Sequence, residues 1–187
     1  MSQRSVHYVG RRLWRVWLAL IVALPLAGTS TAAAAAQNNA PVAQASLWSD
    51  VDPTSLAPAA AQPQIVPKTY RTVILNTVLF QQIAGAAPLE RTAAANTPAT
   101  ITLPLPDGRN QQFTLFESPI MEPGLASKFP EIKTYAGQGI DDPTASVRMD
   151  WTPQGFHAMI LAADGTVFID PYARTNVTQY ISYYSRD

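Results

Sequence analysis

From residue 70 onward the chain repeatedly alternates apolar and polar positions, the period of two that marks a half-buried strand. Tyr70–Leu75 (YRTVIL) is enriched in β-branched residues and predicts a strand. Thr100–Leu105 (TITLPL) sets Ile101, Leu103 and Leu105 in step, and Gln112–Glu117 (QFTLFE) does the same with Phe113 and Leu115. Between these two runs stands Pro106-Asp107-Gly108, whose Asp-Gly supplies the left-handed residues of a tight turn. The pair therefore predicts a hairpin with one buried face. Pro104 removes a backbone donor from its first strand, which points to a sheet edge. Ile132–Tyr135 predicts a further strand, ended by Gly137 and Gly139, and Ala145–Trp151 (ASVRMDW) alternates Val147, Met149 and Trp151 against Arg148 and Asp150. Phe156–Leu161 and Thr166–Asp170 flank Asp164-Gly165 as a second hairpin, and Tyr180–Tyr184 (YISYY) is a last, aromatic strand.

Helical spacing is brief. Asn76 or Thr77 is placed to cap a helix reaching Ala86, with Val78, Leu79, Ile83 and Ala86 on one face and Pro88 beyond its end. Pro123–Phe129 predicts a helical turn closed by Pro130. About seven strands and two short helices, joined mostly by short connections, describe a β-rich α+β domain with a mostly antiparallel sheet over 68–187. No internal repeat of fixed period is present.

The segments before it differ in composition. Residues 1–36 carry Arg4, Arg11, Arg12 and Arg15 and no acid, then an apolar run from Val16 to Gly28, then Thr29-Ser30-Thr31 and the alanines Ala32–Ala36. A basic start, a short apolar stretch and small residues predict a secretory signal peptide, with cleavage after Ala36. The run is shorter than the roughly 20 apolar residues of a membrane span and contains Pro25. Arg11-Arg12 matches a twin-arginine leader only loosely. Residues 37–67 are dominated by Ala, Gln and Pro and read as a linker. Within it Leu47-Trp48-Ser49-Asp50-Val51 stands out, either as a docking point onto a domain or as an incidental exposed aromatic.

Charge and candidate chemistry narrow the function. The chain has 187 residues, with 13 Lys and Arg against 13 Asp and Glu. Without the four arginines of the leader, nine bases face 13 acids, which argues against a nucleic-acid partner. There is no cysteine, so thiolate zinc, a thiol nucleophile, lipid acylation of a cysteine and disulfides are all excluded although export would permit the last. His157 is the one histidine beyond the leader; a lone ligand or base is weighed against an outward-facing strand residue between Phe156 and Met159, and the second is favoured. Asp141-Asp142 before Pro143 suits a turn better than a calcium or proton-sharing pair. Glu117 and Glu122 have no fixed separation of the kind a glycosidase needs. Ser118 lacks the glycine context of a nucleophile elbow, and Gly137, Gly139, Gly155 and Gly165 read as turn residues. Tyr180, Tyr183 and Tyr184 fill a core or form a recognition surface, the core being favoured. No catalytic, cofactor-binding or metal residue is assigned.

Several segments in order resemble the N-terminal prodomain region of bacterial secreted reprolysin-like (metzincin) zinc metallopeptidases. They are Tyr70-Arg71-Thr72, Ala87-Pro88-Leu89-Glu90, Leu103–Gly108 (LPLPDG), Glu117–Pro123 (ESPIMEP), Phe129–Tyr135 (FPEIKTY) and Gly139–Thr144 (GIDDPT). Gly155–Met159 (GFHAM), Ile169–Tyr172 (IDPY) and Tyr180–Tyr184 complete the series. The resemblance implies a secreted protein, extracellular or periplasmic, in which a signal peptide (1–36) and linker (37–67) precede a β-rich prodomain (68–187). Its partner would be a metallopeptidase catalytic domain in cis, which the prodomain helps to fold, blocks at the cleft, or both. The zinc and the H-E-x-x-H motif of that family lie in the catalytic domain, beyond this region, so no cofactor is expected in this chain and the chain is expected to be a fragment or truncated product. No membrane contact is expected after signal removal. Many eukaryotic relatives silence zinc with a prodomain cysteine, which this chain lacks. A stand-alone secreted β-rich module binding protein or carbohydrate is the alternative, and a hydrolase built on Asp or Glu pairs a remote third.

Overall fold

A computed structural model describes residues 46–55, 65–174 and 176–187. The expected signal peptide lies outside them, as do 37–45 and 56–64 of the expected linker. The strands are β1 (Trp48–Asp50), β2 (Tyr70–Leu75), β3 (Ala99–Pro104), β4 (Asn110–Glu117), β5 (Lys133–Gln138), β6 (Ser146–Thr152), β7 (Gly155–Ala162), β8 (Gly165–Pro171) and β9 (Gln179–Tyr184). Two short α-helices, α1 (Thr77–Gly85) and α2 (Pro123–Ala126), interrupt them.

All nine strands form one sheet in the order β1-β2-β9-β8-β7-β6-β5-β4-β3, with every neighbouring pair antiparallel. From β3 to β9 the chain is a meander, and β2 then adds beside β9. Period-two alternation drives the curl. One side of each strand is apolar, and burying all those sides together bends the sheet into a nearly closed wall around a single core. Val73, Phe113, Val147, Phe156, Ile169 and Tyr180 all point into it and are fully buried. α1 plugs the core with Phe80, whose ring meets those of Trp151, Phe156 and Tyr135 at 5.1, 5.2 and 6.5 Å.

The seam between the two edges is closed by side chains rather than by a backbone ladder. The Trp48 indole N–H donates to Thr102 O at 2.8 Å, and the Ser182 hydroxyl donates to Pro104 O at 2.8 Å. The Arg71 guanidinium holds Asp50 (2.6 Å), the Arg109 carbonyl (2.8 Å) and Asn110 Oδ1 (3.0 Å). These bonds satisfy carbonyls that an edge strand would otherwise leave bare.

The β-rich, antiparallel reading holds, with differences in detail. There are nine strands among the described residues rather than about seven, and of the nine β1 alone has no counterpart among the predicted runs. Of the two readings of Leu47–Val51, docking is the one seen. Leu47 and Trp48 are buried and β1 pairs with β2, although both lie inside the range assigned to the linker. Asn76 does cap α1, its side chain accepting from the Leu79 N–H. The buried face of α1, however, is Phe80 and Ala84 flanked by Leu79 and Ile83, and Val78 is 68% exposed. α2 ends at Ala126, short of Phe129. Gly137 does not end a strand but lies within β5, and glycine is required there because a Cβ would stand 2.1 Å from Thr114 O of the neighbouring β4. In the second hairpin Ala163 and Asp164 make the turn, and Gly165 opens β8.

Candidate functional site

The same alternation that sends Met149, Phe156, Ala158, Val167 and Ile169 inward sends their neighbours to the outer face of the sheet. Register then sorts those neighbours into rows. One row runs Ala136–Arg148–Met159–Phe168–Tyr183–Tyr70 across six strands. The next runs Thr134–Asp150–His157. Over these rows lies a groove of about 600 Å³ with Met159 and Phe168 on its floor and Ile120, from the β4–β5 connection, on its wall. A second concavity of about 650 Å³ adjoins it and is lined by Thr152, Gln154, Pro171 and Arg174. Asp150 and His157 border both.

Electrostatics differ along the groove. His157 Nδ1 and Asp150 Oδ1 are 3.0 Å apart. That hydrogen bond raises the imidazole pKa above its ordinary value against the opposing effect of partial burial, and the charges of Asp150 and Asp170 add to the rise. Tyr183 donates its hydroxyl to Asp170 Oδ2 at 2.7 Å, and its ring lies 5.8 Å from that of Phe168. Burial, then this carboxylate, push the Tyr183 phenol well up. Arg148 is exposed and donates to Ser118 Oγ at 3.3 Å, while Ser118 gives its own proton to the Glu90 carboxylate.

The sequence candidates separate on this frame. His157 faces outward, as its parity predicts, and is paired with a carboxylate. Asp142 accepts from the Thr144 N–H and hydroxyl, a turn motif, and Asp141 accepts from the Gln112 N–H at 2.8 Å. Glu117 pairs with Lys133, and Glu122 accepts from the Leu125 N–H at the start of α2. The two glutamates therefore have separate structural roles. Tyr180 is a core residue whose hydroxyl donates to Val177 O and accepts from the Phe156 N–H. Tyr183 lies on the outer face, so the aromatic strand serves both surfaces. Among the described residues no three His, Asp or Glu side chains converge as a metal-holding group, and no helix is long and apolar enough to cross a membrane.

Sequence reasoning missed the grouping of Arg148, Asp150, Met159, Phe168 and Asp170. Their outward parity was readable, but their adjacency was not, since it depends on strand order. This arrangement suits binding: an apolar floor, a polar rim and one guanidinium facing solvent. Comparison of the chain with family models, with curated proteins and with solved structures finds no match.

Proposed function

We propose that this chain carries the N-terminal prodomain of a secreted zinc metallopeptidase and that the outer face of β5–β9 is its docking surface for the catalytic domain. The ordered sequence segments that resemble such prodomains support the assignment. The observation that carries the docking role is the groove over Arg148, Met159 and Phe168, a concave surface whose floor is apolar and whose rim is polar. On this reading residues 1–36 direct export, and the chain between them and β1 connects the leader to the domain. The zinc belongs to the catalytic domain in cis, and the prodomain assists its folding or covers its cleft. The test is to mix the purified chain with a cognate reprolysin-like catalytic domain and to follow binding, peptide cleavage and refolding yield. Association with slowed cleavage or raised refolding yield is expected; no association and no change in either rate or yield would remove the proposal.

A second reading, a stand-alone secreted binding module, is favoured by one observation. The outer row places Tyr70, Tyr183 and Phe168 side by side, an aromatic strip that needs no protease to explain it. Binding of an unrelated secreted protein or a glycan through that strip, with no affinity for the catalytic domain, would establish it instead.

A further inference from the structure

The acids of the outer groove already have partners on the protein. Asp150 is bonded to His157, and Asp170 receives the Tyr183 hydroxyl. Arg148 differs. Its guanidinium has five N–H donors, and among the described residues its one hydrogen bond is the 3.3 Å contact to Ser118, with no carboxylate within ion-pair distance. A hydroxyl partner does not cancel a carboxylate's charge, so what sets Arg148 apart is its unspent N–H donors and not the sign of the groove's total charge. Arg148 stands in the same cross-strand row as Met159 and Phe168, directly opposite Met159. Ile120 rises beside them and is 78% exposed, an apolar side chain with little to cover it.

A planar guanidinium next to an apolar floor complements a carboxylate carried beside a large apolar group. The neighbouring concavity decides what carries them. Past His157 the lining turns to Thr152, Gln154 and Arg174, which offer hydrogen bonds and would gain nothing from a hydrocarbon tail. A polypeptide backbone brings the N–H and C=O groups that such a lining can bond.

We propose that the groove binds a polypeptide segment in which an Asp or Glu adjoins a large apolar residue. The carboxylate is forked on Arg148, the apolar side chain lies between Ile120 and the Met159–Phe168 floor, and the backbone continues towards Thr152 and Gln154. This rests on the reading of the outer face as a docking surface and names the chemistry of its partner.

The test uses the full secreted chain and NMR of its methyl and backbone signals. The probes are the blocked tetrapeptides Ac-Ala-Leu-Glu-Ala-NH2, its Leu-Gln and Leu-Lys counterparts, and decanoate. The Leu-Glu peptide is expected to shift the Met159 and Ile120 methyls and to bind on the order of tenfold more tightly than the Leu-Gln peptide, the scale of one charge-assisted contact. The Leu-Lys peptide should bind more weakly still. R148Q, at an exposed position, should keep the spectrum of the fold and erase the Glu/Gln difference, and R148K should retain part of it. Equal binding of Leu-Glu and Leu-Gln, an unchanged preference in R148Q, or shifts remote from Met159 and Ile120 would overturn the proposal. So would decanoate occupying these methyls where the peptides do not. If the catalytic domain binds but the peptides show no preference, only this groove chemistry falls. If the peptides bind as stated but the catalytic domain does not, only the prodomain assignment falls.

Discussion

Replacing Trp48 by alanine is expected to destabilise the domain by about 3–5 kcal/mol, the range for removing a large buried aromatic. The structure says where that comes from. Trp48 is 6% exposed, and its ring lies 5.6 Å from both Phe156 and Tyr180. Its N–H supplies the 2.8 Å bond to Thr102 O across the seam of the sheet. Phenylalanine at this position keeps most of the apolar area and loses the donor, so W48F is expected to cost only about 1–2 kcal/mol. Domains of this kind have net stabilities of about 5–15 kcal/mol, so W48A would leave the fold marginal while W48F would not. Urea unfolding followed by far-UV circular dichroism measures both from the midpoint and slope. A smaller slope for W48A would mean that β1 has already left the folded state. A cost below about 1 kcal/mol for W48A would refute the reasoning and return Trp48 to an incidental aromatic. Equal costs for the two variants would show that the hydrogen bond, not packing, holds the strand.

Three further outcomes follow from local geometry. Gly137→Ala is expected to cost several kcal/mol or abolish folding, because its Cβ would meet Thr114 O at 2.1 Å and Val147 at 3.0 Å, whereas Gly85→Ala, with open space around it, should be neutral or stabilising in the same denaturation assay. The folded pKa of His157 lies above its unfolded value, so the pair with Asp150 contributes fully below about pH 6.5 and loses its contribution as pH rises through the folded value; histidine proton NMR should show a raised midpoint that D150N lowers. That contribution is small, since the two side chains are 35% and 37% exposed, and a midpoint at or below 6.5 in the native chain would contradict the pairing. Burial pushes the Tyr135 and Tyr180 phenols up to about 12, so both should remain un-ionised in ultraviolet titration past pH 10, with stability falling between pH 10 and about 12 as the unfolded state alone ionises; titration of all tyrosines near 10 in the folded protein would oppose this.

Much of the architecture was legible because its causes are local. Tyr70–Leu75 is a strand with the predicted bounds, since a β-branched run with turn residues beyond it has few other options. The Asp107-Gly108 turn, where Gly108 has φ +91°, sets the β3–β4 hairpin, and Pro104 lies in the edge strand as its missing N–H requires. Asn76 caps its helix through a bond spanning three residues. Val78 misled because helical spacing shows two overlapping apolar stripes, and only the position of the core picks Phe80 and Ala84 over it. Gly137 misled because the residue that forbids a side chain there, Thr114, lies 23 positions away on another strand.

The candidate site divides along the same line. That His157 faces outward follows from the buried Phe156 and Ala158 on either side of it, a relation within one strand. That Asp150 is its partner, and that Arg148, Met159 and Phe168 share a row, depends on which strands are neighbours and in what register. By itself the sequence located strands β2 to β9, and in β3, β4, β6 and β7 the face that is buried, because alternation and turn chemistry act over a few residues. Only the tertiary structure decided the strand order, the entry of Trp48 into the core and the composition of the groove, because backbone pairing between distant segments is set by the packing of the whole sheet and leaves no pattern in any one of them.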